Sequence, residues 1–414
     1  MATASALVSS QNYVECPFII VKIGKYTFGH CEKSYANRMQ SSFNITYPNY
    51  MNSLSITKIN GAINTYVLTM TYAITQEDDP NRLEKVFSSI SNSRMLKLSY
   101  GDWNSPSFIY KEEEAIITKL TTKVNVAKSS IQYVINCTSN ALSLTAGTFS
   151  FPATNDKPSN VILELLKNKR YKLTEIFVGM SNTDFKQFIA RDDKKVKIEA
   201  KNNISLLDYI SYLVSCMVWV GDPSKDLKTS CYFWSVYDDV SSKYGGTYFK
   251  VVRVNANTST LVSYNTYELD VGYPTPDCIT SFNINNDDSW SLLYNYGSSI
   301  DMPKYSYSIN SSGEIVQEAT NSLTKSNRTY TANEATRNWW SLVTQFPITA
   351  TVTMKGLLRP AMLMSYVKVN TYFYGHKHNS SGLYIITKQE DSISSAGYRT
   401  TLSLTRVGGD ESYA

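Results

Sequence analysis

Alternation of apolar and polar residues dominates both ends of the chain. Phe43, Ile45 and Tyr47, then Leu54 and Ile56, then Leu68, Met70, Tyr72 and Ile74 fall on every second position, with Thr69 and Thr71 between them. A period of two places alternate side chains on opposite faces, so these runs predict half-buried β-strands. Between the second and third runs lies Asn60-Gly61, the dipeptide that best tolerates the positive φ angles of a two-residue hairpin turn, and such a turn is expected there. Asp79-Pro80-Asn81 then offers a capping carboxylate and a first-turn proline ahead of Leu83, Val86, Phe87 and Ile90, which share one helical face. Strands are predicted again over 95–99, with a turn at Gly101-Asp102, over 116–126, and through Ile131, Tyr133, Ile135 and Cys137. The first unit thus reads as an antiparallel sheet, expected to close into a barrel, with one helix across it.

The turn-rich stretch from Pro152 to Pro158 interrupts this pattern and predicts a domain boundary. Beyond it Ser159 is placed to cap a helix carrying Val161, Ile162, Leu165 and Leu166. Ser205 is placed to cap another carrying Leu206, Leu207, Ile210, Leu213, Val214 and Met217, with Asp208 completing a capping-box-like pair. The basic stretch with Lys194, Lys195, Lys197 and Lys201 reads as a solvated hairpin edge whose lysines block unwanted strand pairing. Strands are expected over 232–240 and 247–254 around Gly245-Gly246, whereas 255–338 is rich in Asn, Ser and Tyr and only weakly periodic. Asp287-Asp288 and Asn310-Ser311-Ser312-Gly313 are its turn signals. Alternation returns with Ile348, Ala350, Val352 and Met354, with Val367 and Val369, and with Leu402 and Leu404, separated by turns at Gly375, Ser381-Gly382 and Gly397. The expected fold class is mainly β with α+β insertions. The expected division is a first barrel over 1–150, a central α+β domain over 151–245, a central β-rich domain over 246–338 that can share strands with the last, and the C-terminal part of a second barrel over 339–414.

Composition narrows the function. The chain has 414 residues with 42% hydrophobic and 18% charged positions, the balance of a globular protein. Its 31 tyrosines against 15 phenylalanines and 6 tryptophans suit sheets and interfaces. A net charge of +5 with dispersed lysines lacks the concentrated basic surface of a dedicated nucleic-acid binder. Six cysteines without a C-x-x-C spacing predict buried thiols rather than a zinc site. The N-terminus shows no basic and apolar signal segment, and no apolar run reaches the roughly 18 residues of a membrane span, so folding in a cytosol without membrane insertion is expected.

Chemistry is scarce. Only His30, His376 and His378 are available for acid–base work near neutral pH, which disfavours an ordinary hydrolase. The nucleophile elbow, the phosphate-binding loop, the dinucleotide fingerprint and the zinc-protease helix are all missing. His376 and His378 would share a strand face, but they read as part of an exposed loop without a third ligand, and His30 reads as structural. The pairs Asp78-Asp79, Asp192-Asp193, Asp238-Asp239 and Asp287-Asp288 read as turn caps, Glu112-Glu113-Glu114 as a solvated loop, and Trp339-Trp340 as a linker anchor. No catalytic, cofactor-binding or metal-ligating residue is therefore assigned, and no cofactor is expected.

One resemblance unites these features. Asn60-Gly61, the strand over 64–75, Asp79 to Lys85 opening a helix and Ser99-Tyr100-Gly101-Asp102 in the first unit resemble the baseplate hub, or tail hub, of contractile-tailed bacteriophages. So do Met354-Lys355-Gly356 with Pro360, Ser381 to Ile386, and Gly397 to Leu404 in the last. The resemblance implies a non-enzymatic homotrimer in which each chain supplies two tube-like barrels, each with a helix. Three copies would present a pseudo-six-fold ring between tail tube and three-fold spike, with the central domains flaring outward. It further implies tube or tube-initiator, spike, and wedge or tape-measure proteins as partners, passage of DNA without specific binding, and a place in the virion after assembly in the host cytoplasm. Two rivals stand beside it: first a receptor- or carbohydrate-binding tail protein, which shares the Tyr/Asn/Ser-rich β composition, and second a cell-wall hydrolase using one of the acidic pairs.

Overall fold

The computed structural model describes residues 14, 16–30, 45–48, 50–75, 79–102, 110–167, 177–178, 195–216, 231–239, 246–254, 267–273, 279–286, 305–309, 315–319, 348–356, 363–364, 366–373, 376–378 and 380–408. The first unit comprises β1 (Pro17–Ile23), β2 (Tyr26–His30), β3 (Tyr47–Pro48), β4 (Met51–Ile59), β5 (Thr65–Ala73), helix α1 (Pro80–Asn92), β6 (Met95–Asp102), β7 (Tyr110–Asn125) and β8 (Ser130–Ser139). The middle holds β9 (Phe149–Phe151), β10 (Thr154–Asp156), α2 (Pro158–Lys167), β11 (Phe177–Val178), β12 (Val196–Ile198), β13 (Lys201–Ile204), α3 (Leu206–Ser215), β14 (Cys231–Asp239) and β15 (Gly246–Val254). There follow β16 (Tyr267–Tyr273), β17 (Ile279–Asn286), β18 (Tyr305–Ile309), β19 (Ile315–Ala319), β20 (Ile348–Lys355), β21 (Tyr366–Phe373), β22 (His376–Lys377), β23 (Gly382–Ser394) and β24 (Gly397–Gly408). The protein is mainly β.

Both ends of the chain belong to one sheet of 15 strands. Its path runs β17-β20-β24-β23-β4-β5-β8-β7-β6-β1-β2-β3, with β16, β21 and β22 branching from β23. The predicted alternation is what seats β4 and β5: Leu54 opposes Leu68, Ile56 opposes Tyr66, and all four are buried while their neighbours face outward. Helix α1 covers this unit. Asp79 caps it by accepting from the Asn81 amide at 3.0 Å, Val86 and Ile90 are buried, and Phe87 lies edge-on to Tyr72 at 5.6 Å. A second core gathers β16, β20, β21, β23 and β24. A third joins Ala141 and Leu144 to Phe151, α2 and α3.

Strand β23 couples the two units. Its first residues pair with β21, Val367 opposing Tyr384, and its last with β4, Ile56 opposing Asp391. Against β24 the register shifts between Ile386 and Lys388, where the partner changes. The bulge re-aims the strand, and its burial changes with it, from an unbroken buried run over 382–386 to alternation beyond Thr387.

Several expectations need correction. The ladders do not close into barrels among the described residues. Strand β4 has only two edges, and β5 takes one while β23 takes the other, so none is left for β3. β3 itself is two residues long and contains Pro48, which has no amide hydrogen to extend a ladder. Only the first unit shows a helix of its own across its sheet among the described residues. Asn60-Gly61 does not form a two-residue hairpin: the connection runs from Asn60 to Asn64, and of the pair only Gly61 takes a positive φ, 72°. Asn60 instead donates its amide to the Thr387 carbonyl at 2.9 Å, continuing the seam with β23. Gly101-Asp102 is not a turn, because β6 continues through both and Asp102 accepts the Cys16 amide at 3.0 Å. Ser159 lies in the first turn of α2 rather than capping it, whereas Ser205 does cap α3, accepting from the Asp208 amide at 3.1 Å and donating to its carboxylate at 2.6 Å. The weakly periodic region contributes β16, parallel to β21, and β17, antiparallel to β20.

Gly356 pins the N-terminal segment to the second unit. Its carbonyl accepts from Val14 and its amide donates to the Tyr398 carbonyl, both at 2.7 Å. A Cβ here would fall well inside contact distance of the Tyr398 ring. Gly356→Ala is expected to destabilise the protein by about 1–3 kcal/mol through this overlap, read as a lower urea midpoint with an unchanged slope.

Candidate functional site: a buried polar seam

The side chains with the most distinctive chemistry lie where the two units meet. In β7 the alternation puts Glu113 and Ala115 inward and Glu112 and Glu114 outward, Glu114 pairing with Lys97 at 2.8 Å. Glu113 is 1% exposed. It accepts from Lys58 Nζ and from the Tyr66 hydroxyl, each at 2.5 Å, and from the Tyr100 hydroxyl at 2.7 Å. Expected as part of a solvated loop, Glu113 is instead a buried carboxylate whose donors come from β4, β5 and β6. An ionised group this deep persists only with such partners.

A second buried carboxylate, Asp391 of β23, stands beside it. Asp391 accepts from Gln389 Nε2 and from Thr400 Oγ1, each at 2.7 Å, and from the Tyr398 hydroxyl. Lys58 and Gln389 are directly opposed across the β4–β23 ladder, and Asp391 and Thr400 across β23–β24. The two clusters sense one another. Burial first, then Glu113, raises the Tyr100 phenol well above its ordinary range, with Tyr398 and Asp391 adding to the effect. Burial, then Asp391 and Glu113, does the same to Tyr398. The arrangement holds both carboxylates against donors inside a core, where they align the strands that carry them.

The residues considered from sequence lie elsewhere. His30 is half-buried in β2, and that burial lowers its pKa. His376 sits in the two-residue strand β22 rather than a loop, and both it and His378 are exposed. His378 Nδ1 is 2.7 Å from Ser380 Oγ, a nucleophile–base spacing, but the Ser380 amide also donates to that nitrogen at 3.2 Å, the pattern of a local turn. No group of three or more His, Cys, Asp and Glu side chains is poised for a metal among the described residues. Asp79 caps α1, and Asp238 and Asp239 end β14; Asp78, Asp192, Asp193, Asp287, Asp288, Trp339 and Trp340 lie outside the described residues. Cys16, Cys137 and Cys216 are buried, and burial pushes the Cys137 thiol up to about 12. Lys197 lies exposed on β12, which pairs with β10, and Lys201 reaches over the Tyr212 ring at 4.3 Å. The seam itself carried a signal in the alternation: Lys58 is in phase with Leu54 and Ile56, and Gln389 and Asp391 with Ile393.

The sequence matches no protein-family model and no curated protein. Solved structures do match. The 43 kDa tail protein of prophage MuSo2 from Shewanella oneidensis is similar with a TM-score of 0.50 at 11% identity, over 94% of this chain and 98% of that one. The tail protein from Neisseria meningitidis MC58 is similar with a TM-score of 0.50 at 9% identity, over 94% of this chain and 96% of that one. The chain thus shares, along nearly its whole length, the fold of tail proteins.

Two outcomes test the seam. Glu113→Ala leaves Lys58 and two phenols without their acceptor and is expected to cost about 3–5 kcal/mol, whereas joint replacement of Lys58 and Glu113 by Met and Leu costs less than the single change; chemical unfolding of both variants reads the difference. Above pH 10, the ordinary tyrosine value, the unfolded chain releases phenolic protons that Tyr100 and Tyr398 retain when folded, so stability is expected to fall as pH rises. Unfolding curves at stepped alkaline pH should show that fall, smaller in Tyr100→Phe.

Proposed function

We propose that this chain is a structural hub of a phage tail baseplate, acting by shape and assembly rather than by catalysis. The observation that carries the reading is the continuous sheet joining two β units through β4 and β23, in a chain that shares the fold of tail proteins over nearly its whole length. Two similar units in one chain double the apparent rotational order of a three-fold assembly, so three copies supply six barrel-like modules in a ring. Such a ring adapts a six-fold tail tube to a three-fold spike.

The seam suits this role. A ring that transmits the motion of tube and spike needs its two modules fixed in one relation. A ladder supported by buried charge-assisted hydrogen bonds fixes it in register and orientation. In this reading residues 1–150 form the first module and 339–414, with strands from 246–338, the second, while 151–245 projects outward. The partners are the tail tube or its initiator, the spike, and wedge or tape-measure proteins, and DNA passes along the axis without specific binding. Among the described residues no helix is long and apolar enough to cross a membrane. The chain's place is the virion, after assembly in the host cytoplasm.

Sedimentation of the full chain with negative-stain imaging tests the proposal. A trimer with an axial opening and six similar lobes is expected. A stable monomer, or an assembly without a passage, would overturn it.

A further inference from the structure

One pair of charges in the second unit is placed against its own interest. Lys355, at the end of β20, and Arg399, near the start of β24, are directly opposed across their ladder, both exposed on the outward face. Like charges in that position destabilise a sheet. Neither makes an ion pair among the described residues. The carboxylate one row along the same face, Glu390, is taken by Lys388 at 2.9 Å. Across the ladder on its other side Arg399 opposes Ser392. The two cations and Ser392 help line a cavity of about 390 Å³ that also includes Thr280, Ser394 and Tyr398.

The cavity opens beside the start of β17, the end strand of the sheet path. Sheet edges are commonly blunted by charge, proline or bulges that twist them away. β17 reads Ile-Thr-Ser-Phe-Asn-Ile-Asn-Asn, with no charge or proline, and Ile284 is exposed. It pairs only with β20 among the described residues. A cationic recess next to an edge left unpaired among the described residues has the chemistry of a protein contact. A nucleic-acid track would instead need a stripe of cations along the backbone path, and two in a concave recess do not supply one.

The geometry points to a carboxylate of a second copy of this chain as the occupant, seated between Lys355 and Arg399. This rests on the ring reading above. In a head-to-tail ring a patch on one copy meets a different patch on the next, so the donor need not lie near the recess. The chain has acids to offer: Glu84 on α1 and Glu164 on α2 are exposed and make no ion pair among the described residues. Seating such a group removes the repulsion that the isolated chain tolerates.

The test compares the full chain with Lys355→Ser/Arg399→Ser by sedimentation at low and high salt, with thermal unfolding and a DNA gel-shift alongside. The double variant should self-associate roughly thirtyfold more weakly or worse, while its Tm, read at a dilution where both chains are monomeric, stays equal or rises because the opposed charges are gone. Association of the variant equal to wild type overturns this inference and leaves the ring reading standing. Loss of DNA binding with association intact overturns it in favour of a phosphate site. A wild-type chain that remains monomeric overturns the ring reading and this contact together.

Discussion

A β-strand has two edges, and β4 commits both. With β5 on one side and β23 on the other, the first sheet cannot close on β3, and the second is joined to the first by a continuous ladder. Most of the architecture follows from that allocation. The bulge between Ile386 and Lys388 turns β23 from β21 toward β4. The Asn60 amide bonds to Thr387 instead of making a tight turn, and Val14 reaches across to Gly356. Ile393 and Tyr398, late in the chain, fill the core of the first unit.

Pairing alone would not make this junction unique, since a strand can slip along its neighbour. The buried carboxylates supply the selectivity. A slip of one residue would turn Lys58, Gln389 and Asp391 to the wrong face and strand Glu113 without its ammonium partner. Charge-assisted bonds of 2.5–2.7 Å from the Lys58 ammonium and two phenols to Glu113, and from the Thr400 hydroxyl to Asp391, make the native register the one in which both carboxylates are satisfied.

Period-two alternation made Leu54, Ile56, Leu68, Met70, Val352 and Leu402 legible as core, and the Asp79 cap made α1 legible as a helix. Failures came where a residue's role depends on a partner distant in sequence. Glu113 sits among three consecutive acids, a local context that says solvent; it is buried because Lys58 and Tyr66, 55 and 47 residues away, reach it. Asn60-Gly61 has the composition of a hairpin turn, but Thr387 competes for the Asn60 amide. The strands β16 and β17 were obscure because β17 is a polar strand paired on one edge only among the described residues, and β16 depends on a parallel pairing with β21. Local pattern reports burial on the strand's own face. It does not report who lies beside it.

The distribution of charge separates what folds the chain from what the chain presents. Inside, Lys58 and Glu113 meet with phenols at close range, and Asp391 is held by Gln389, Thr400 and Tyr398, so the interior polar groups serve the fold. On the outer face Lys97–Glu114 and Lys388–Glu390 are matched neighbours, of small energetic weight because water screens them. Lys355 and Arg399 fit neither group, being opposed to each other rather than to an acid. Folding alone would be served as well by Ser or Thr at either position, the residues that occupy the next row at Thr353 and Thr401, whose hydroxyls lie 3.2 Å apart. A cationic pair kept where the isolated sheet gains nothing from it is explained by a state in which the sheet is not isolated.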